Sequence, residues 1–222
     1  TKPISEWEEP DRIPWQAIMG RAGNIYETYD EFMDAEGNPD WPSIAVYFYR
    51  DEWIMGDIYY QQALFEEIYK HQYNPIIFYG QYGSNPRVGI PNMKLSMNHL
   101  FGKDVFPFDV LINTCKFSFQ SLGAQTLEEL KLQDVPIVQG YTIYMEEKFW
   151  AENPQGVTPL DVNLSISQPE LDGVIQGGVV ACQTFDERGH YVYLPVKERI
   201  AAVVQRAIKW SKLRHIPVSE RK

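Results

Sequence analysis

Apolar residues fall along this chain in short runs, and the spacing inside the runs changes from one region to the next. IAVYFY (44–49), PIIFYG (75–80), FDVLINTCKF (108–117) and VPIVQG (135–140) are continuous runs rich in β-branched and aromatic residues. Strands buried on both faces read this way. Helical spacing lies between them. In IYYQQALFEEIYKHQ (58–72), Tyr60, Leu64 and Ile68 share one face, and Gln62, Glu66 and Lys70 the opposite one. Asp57 is placed to cap this helix, because its carboxylate accepts first-turn N–H groups. RDEWIM, just before it, reads as a loop. Pro91 suits the first position of a helix ending at Gly102, and Thr126 with Glu129 forms a capping box at the start of a short helix, TLEELKLQ. EEKFWAEN predicts a further helix.

Beyond residue 160 the pattern changes. VNLSIS (162–167) alternates with period two, as a half-exposed strand does. VIQGGVVACQTF (174–185) follows, with a glycine pair that marks a bulge. PVKERIAAVVQRAIKWSKL is a long amphipathic helix that Pro195 can open. Strand–helix units in series predict an α/β fold: a mostly parallel open sheet with helices on both faces, Rossmann- or flavodoxin-like. An N-terminal lead-in and a late β-hairpin of VNLSIS and VIQGGVV complete it. The expected organisation is an acidic lead-in over 1–43, an α/β domain over 44–215, and the start of a linker over 216–222.

Charge narrows the partners. The net charge is −10, and an acidic field repels phosphate backbones, so nucleic acid is not an expected partner. The first forty residues are acidic, the last helix and tail basic. With 14 Tyr, 11 Phe and 6 Trp, the chain has the aromatic content to build a core. Cys115 and Cys182 sit in strand-like runs and read as reduced core thiols. No apolar stretch reaches the roughly 18 residues a membrane span needs, and no signal-peptide pattern is present. A cytoplasmic location is the expectation.

In a parallel sheet, ligands sit at the carboxyl ends of the strands. The loops there offer Arg50, Asp51, Glu52, Asp57, Asn113, Thr114, Gln120 and Gln139, a polar rim a small molecule could use. No P-loop, GxGxxG, HExxH, CxxC or GxSxG occurs, and the four histidines are dispersed. QPELDG (168–173) stands out. Pro169, Asp172 and Gly173 suit a hairpin turn. Glu170 is not asked for by a turn; a carboxylate at a sheet end can bind a cation or take a proton. Both readings of this segment stand.

FYRDEWIMGD, VLINTCKFSF, LQDVPIVQG, EEKFWAENPQGVTPLDV, PELDG and RAIKWSKL occur in an order and spacing that resemble the large, tetrapyrrole-binding subunit of cobaltochelatase and magnesium chelatase, over about residues 44–222. Relatives of the cobalt type often carry Ser-His where this chain has Asp51-Glu52, and small apolar residues where it has Cys115-Lys116. The FYR opening leans towards the cobalt branch. The resemblance implies a domain of a longer large subunit, expected to fold but not to insert metal unaided. The activity implied is ATP-dependent insertion of a divalent metal, cobalt favoured over magnesium, into a corrin or porphyrin ring. The implied partners are the tetrapyrrole, the rest of the large subunit, and ATPase subunits that use the ATP in its stead. The resemblance makes Glu170 the catalytic carboxylate, a base and transient ligand of Co2+ or Mg2+, with Asp172 beside it for the metal. Arg50, Gly56, Asp57, Asn113, Thr114 and Gln139 become substrate-lining candidates. The alternative is a non-catalytic α/β domain that binds a small molecule or is purely architectural.

Overall fold

The computed structural model describes residues 12–81, 84–102, 105–119 and 124–220, with only the backbone at 124–126 and 129. Eight strands form one sheet: β1 (Ala17–Met19), β2 (Ile25–Tyr26), β3 (Ser43–Tyr49), β4 (Asn74–Gly80), β5 (Val110–Asn113), β6 (Ile137–Ile143), β7 (Ile175–Phe185) and β8 (Tyr191–Pro195). The order is β2-β1-β4-β3-β5-β6-β7-β8. The strands from β4 through β7 pair in parallel. β1 pairs antiparallel with β2 and β4 at one edge, and β8 with β7 at the other. The expected α/β sheet flanked by helices is present, but it is mixed, so a purely parallel doubly wound sheet does not describe it. β1 and β2, from the stretch expected to be a lead-in, extend the sheet.

The helices are α1 (Tyr29–Glu36), α2 (Arg50–Met55), α3 (Tyr59–Lys70), α4 (Met93–Phe101), α5 (Ala124–Leu132), α6 (Glu147–Glu152), α7 (Pro159–Asp161), α8 (Gln168–Leu171) and α9 (Lys197–Arg214). α3 and α9 pack together on one face of the sheet. Gly140 is small because that face is crowded: an added Cβ would meet Val180, Ile112 and Val203 of α9. Tyr47 and Phe78 point the other way, with ring centroids 5.2 Å apart, and Phe78 meets Phe101 of α4 edge-on at 5.2 Å. Layers on both faces explain why β4 and β5 are buried at every residue. No helix among the described residues is long and apolar enough to cross a membrane.

Several local expectations are corrected. VNLSIS is not a strand but a π-helical stretch, Val162–Ser167, between α7 and α8. The helix starts earlier: Thr158 caps it by accepting from Asp161 N, with Pro159 at its first position. QPELDG is therefore α8 and its exit, with Asp172 as C-cap and Gly173 at φ 79°, rather than a hairpin turn. The late hairpin exists but joins β7 to β8. RDEWIM is helix α2, ended by Gly56 in the left-handed region at φ 73°. Asp57 does not cap α3. α4 begins at Met93 under Asn92, and α9 at Lys197, each two residues after the proline expected to open it. The Thr126–Glu129 box and Gln120 lie outside the described residues and side chains.

The bulge expected at the glycine pair is present, as register shifts between β6 and β7. A Cβ on Gly177 would stand 2.4 Å from Gln139 O, a backbone atom that cannot move without the sheet. Gly177→Ala is expected to cost about 1–3 kcal/mol, the range for overpacking, read as a lower urea midpoint.

Candidate functional site

The parallel order reverses around β3: β4 lies to one side and β5 to the other. Open α/β sheets bind ligands outside the carboxyl ends of the strands at such a point. A cavity of about 430 Å3 lies there. Tyr49, Phe117, Tyr191 and Tyr193 give it rings, and Asp51, Glu52 and Asp57 give it carboxyl groups. The β7–β8 hairpin closes it. β8 packs against α3, and Tyr193 N donates to both oxygens of Asp57 at 3.1 Å. Phe117 holds φ 70°, unusual for a bulky residue, and its N–H donates to Leu164 O in the π-helical stretch at 2.7 Å.

Glu52 is one of the residues that line this cavity. Tyr60 Oη donates to its Oε2 at 2.6 Å, as does Gln61 Nε2 at 2.6 Å. Tyr60 Oη is also 3.1 Å from Thr114 Oγ1, which donates to Tyr47 O at 2.8 Å. Solvent reaches part of the Glu52 side chain through the cavity, but protein crowds the carboxyl group. Desolvation pushes its pKa up to about 8, aided by Asp57 and opposed by Tyr60, Lys116 and Gln61. Burial also raises Asp57, against the Tyr193 N–H.

Behind Tyr193 lies Lys116, with its side chain 5% exposed. Its Nζ is 3.0 Å from the centre of the Tyr144 ring and 3.8 Å from Asp161 Oδ1, and it makes no hydrogen bond. Desolvation lowers its pKa to about 8, against the pull of Asp161 and Glu52. Tyr49 Oη accepts from Lys116 N at 2.8 Å and donates to Lys116 O at 3.1 Å, fixing the loop that carries the amine.

The structure divides the sequence candidates. Asp57 lines the cavity, and Thr114 stands behind it through Tyr60. Asn113 and Gln139 turn inward: Asn113 Nδ2 donates to Gln139 Oε1 at 2.8 Å, and both amides donate to Cys115 O. Arg50 ties down the N-terminal segment, donating to Pro14 O at 2.9 Å and lying over the Trp15 ring. Gly56 ends α2. Glu170 is exposed on α8 and does not line this cavity. Asp172 is buried and accepts from Ser118 Oγ at 2.9 Å and from Phe119 N. It also borders a second cavity, of about 460 Å3, at the amino-terminal ends of β6 and β7. Among the described residues, no group of three or more His, Cys, Asp or Glu is placed to hold a metal ion.

Sequence reasoning did not single out Phe117, Tyr193 or Asp161; it placed Tyr60 only on an apolar helical face and noted Lys116 only as a departure from the family pattern. One signal was present: Lys116 sits between Cys115 and Phe117 at the end of a strand-like run, and a charge so placed is rarely buried unpaired.

Comparison with known proteins adds the remaining finding. A family model described as CobN/Magnesium Chelatase matches residues 2–222. An uncharacterized protein of Methanocaldococcus jannaschii is 28% identical over 94% of this chain and 18% of its own length. The aerobic cobaltochelatase subunit CobN of Pseudomonas aeruginosa is 23% identical over 97% of this chain and 17% of its own. The solved catalytic subunit of cobaltochelatase from Mycobacterium tuberculosis superposes with a TM-score of 0.71 at 23% identity, covering 95% of this chain and 17% of that one. The chain thus spans less than a fifth of the length of these relatives.

Proposed function

The chain belongs to the CobN/magnesium chelatase family, and from that premise we propose that it forms one wall of the tetrapyrrole site in the large subunit of an ATP-dependent chelatase. The cavity at the ends of β3 and β5 carries this reading. It has aromatic rings to cover a planar macrocycle and carboxyl groups to meet pyrrole N–H donors and a dication. Its volume suits part of such a ligand, and the rest of the pocket belongs to the remainder of the subunit. The match to a cobaltochelatase subunit along 97% of the chain supports cobalt over magnesium as the metal substrate. ATP hydrolysis falls to partner subunits.

In this reading Glu170 guides the cation. It is exposed, and Asp172 anchors its helix to the loop after β5. A carboxylate so placed can replace water around a hard divalent ion at the boundary with the next domain. Asp57 holds the hairpin that closes the cavity, while Asn113, Thr114, Gln139 and Arg50 set the loops around it.

The test is a spectral titration of the full-length subunit with a free-base porphyrin or a hydrogenobyrinate-type corrin. Tyr193→Ala is expected to weaken binding about tenfold or more, the scale for losing a buried aromatic anchor. An unchanged affinity would remove this cavity from the substrate site. Glu170→Gln is expected to slow insertion while leaving the titration unchanged.

A further inference from the structure

Replacing two ring N–H protons by a divalent metal releases both protons, so the site needs a group ready to take one. We infer that Glu52 is that group, and that Tyr60 and Thr114 are the positioning residues that accommodate the proton. The inference rests on the tetrapyrrole reading above and adds a residue and a role that the reading does not contain.

The hydrogen-bond count supports it. With Glu52 ionised, Tyr60 Oη donates to it and Thr114 Oγ1 donates to Tyr47 O. The 3.1 Å contact between Tyr60 and Thr114 then holds no proton. With Glu52 neutral, its own proton can fill the 2.6 Å contact with Tyr60, and the Tyr60 hydroxyl turns to Thr114. All three contacts then carry a proton. A proton taken at the other oxygen reaches this arrangement by a half-turn of the carboxyl group, which exchanges its two oxygens, and a swing of the Tyr60 hydroxyl; no neighbouring side chain has to move. Oε2 is occupied by Tyr60 and Gln61, while Oε1 makes no hydrogen bond among the described residues and is the oxygen left for the cavity.

The other carboxyl groups are less suited. Both oxygens of Asp57 are engaged by Tyr193 N, and Asp51 is exposed. The ionisable groups around Glu52 are Asp57, Tyr60 on α3, Cys115 and Lys116 on the loop after β5, and Tyr193 on β8. Burial keeps its affinity for a proton high, with pKa about 8, so the proton taken is retained. In the step itself one N–H bond breaks, its electron pair stays on nitrogen to bind the metal, and an O–H bond forms on Glu52. The second proton passes to solvent water.

The experiment uses the full-length subunit with its ATPase partners, measuring tetrapyrrole affinity and single-turnover insertion from pH 6 to 9. The wild-type rate is expected to rise with pH and level off above about 8, as the carboxylate form fills. Glu52→Gln should lose that limb and about 10²–10⁴-fold in rate, the span of one general base, with affinity retained. Glu52→His should recover part of the rate with an inflection near the imidazole range of about 6.5. Tyr60→Phe removes a donor that favours the carboxylate, so its inflection should move to higher pH. That variant carries the test if Glu52→Gln does not fold. Normal binding with an unchanged pH profile in Glu52→Gln, or in Tyr60→Phe where the former is unfolded, overturns the assignment alone. Failure of the wild-type subunit to bind any tetrapyrrole overturns the functional reading and this inference with it.

Discussion

Asp161→Asn is expected to lower the unfolding free energy of the 222-residue chain by about 3 kcal/mol at pH 7, among the largest losses from any single exchange in this domain. The reason is Lys116. The two side chains are 5% and 0% exposed, and Asp161 Oδ1 lies 3.8 Å from Nζ, within ion-pair distance of the amine. The other Asp161 oxygen accepts from Thr158 Oγ1 at 2.7 Å, which fixes the carboxylate at the start of α7. Asparagine keeps the shape and much of the capping geometry. It removes the charge, and an ammonium group in low dielectric is then left with aromatic rings and the weaker pull of the more distant Glu52.

A buried pair costs more to break than to remove whole. Lys116→Met together with Asp161→Asn should therefore recover most of the loss, because no charge is stranded. The deficit of the single variant should also shrink above pH 8, where the amine, with its pKa lowered to about 8, sheds its proton. Urea unfolding at pH 7 and pH 9 on the wild type, both single variants and the double variant reads all of this. An Asp161→Asn variant as stable as wild type at pH 7 would mean that the pair is hydrated and that its electrostatics do not matter.

Local spacing carries the buried strands. The runs at 44–49, 75–80 and 135–140 are β3, β4 and β6 to within a few residues, because strands covered on both faces must be apolar throughout. The run at 108–117 overshoots: only Val110–Asn113 is β5, and the remainder is the loop that carries Thr114, Lys116 and Phe117. VNLSIS misled because Val162, Leu164 and Ile166 satisfy a period of two, while the Thr158-Pro159 helix start lies four residues upstream. β1 and β2, with three and two residues, are too short to show any period. The site was half legible for a related reason. A carboxylate after a strand is a local feature, so Glu52 and Asp57 fell within the expected rim. What makes Glu52 chemically distinct is Tyr60 and Gln61 from the next helix, then Thr114, 54 positions beyond Tyr60. Pairings of that range leave no trace in local spacing. Tyr60 itself was visible only as part of an apolar helical face.

The same environment that readies Glu52 for a proton should appear in stability against pH. Its pKa is raised from an ordinary 4.5 to about 8 by burial, so the folded chain holds a proton that the unfolded chain has lost throughout that window. Stability from this group is complete below pH 4.5 and is lost as pH rises to 8, with a limiting slope of about 1.4 kcal/mol per pH unit. Water entering through the cavity screens the carboxylate and brings the slope to roughly half of that limit. Lys116 acts in the opposite sense at higher pH. Its pKa is lowered from 10.5 to about 8, so its contribution grows as pH rises from 8 to 10.5. The two groups together predict a shallow minimum in stability near pH 8. Glu52→Gln should remove the falling limb and leave the rising one, making the variant more stable than wild type at pH 8 by on the order of 2 kcal/mol and nearly equal to it at pH 5. Superimposed wild-type and variant curves would show that Glu52 titrates alike in the folded and unfolded chain. A gain in stability on losing this carboxyl group is what a site kept for chemistry rather than for folding should display, since burying an ionisable group beside Asp57 brings the fold nothing that glutamine would not supply.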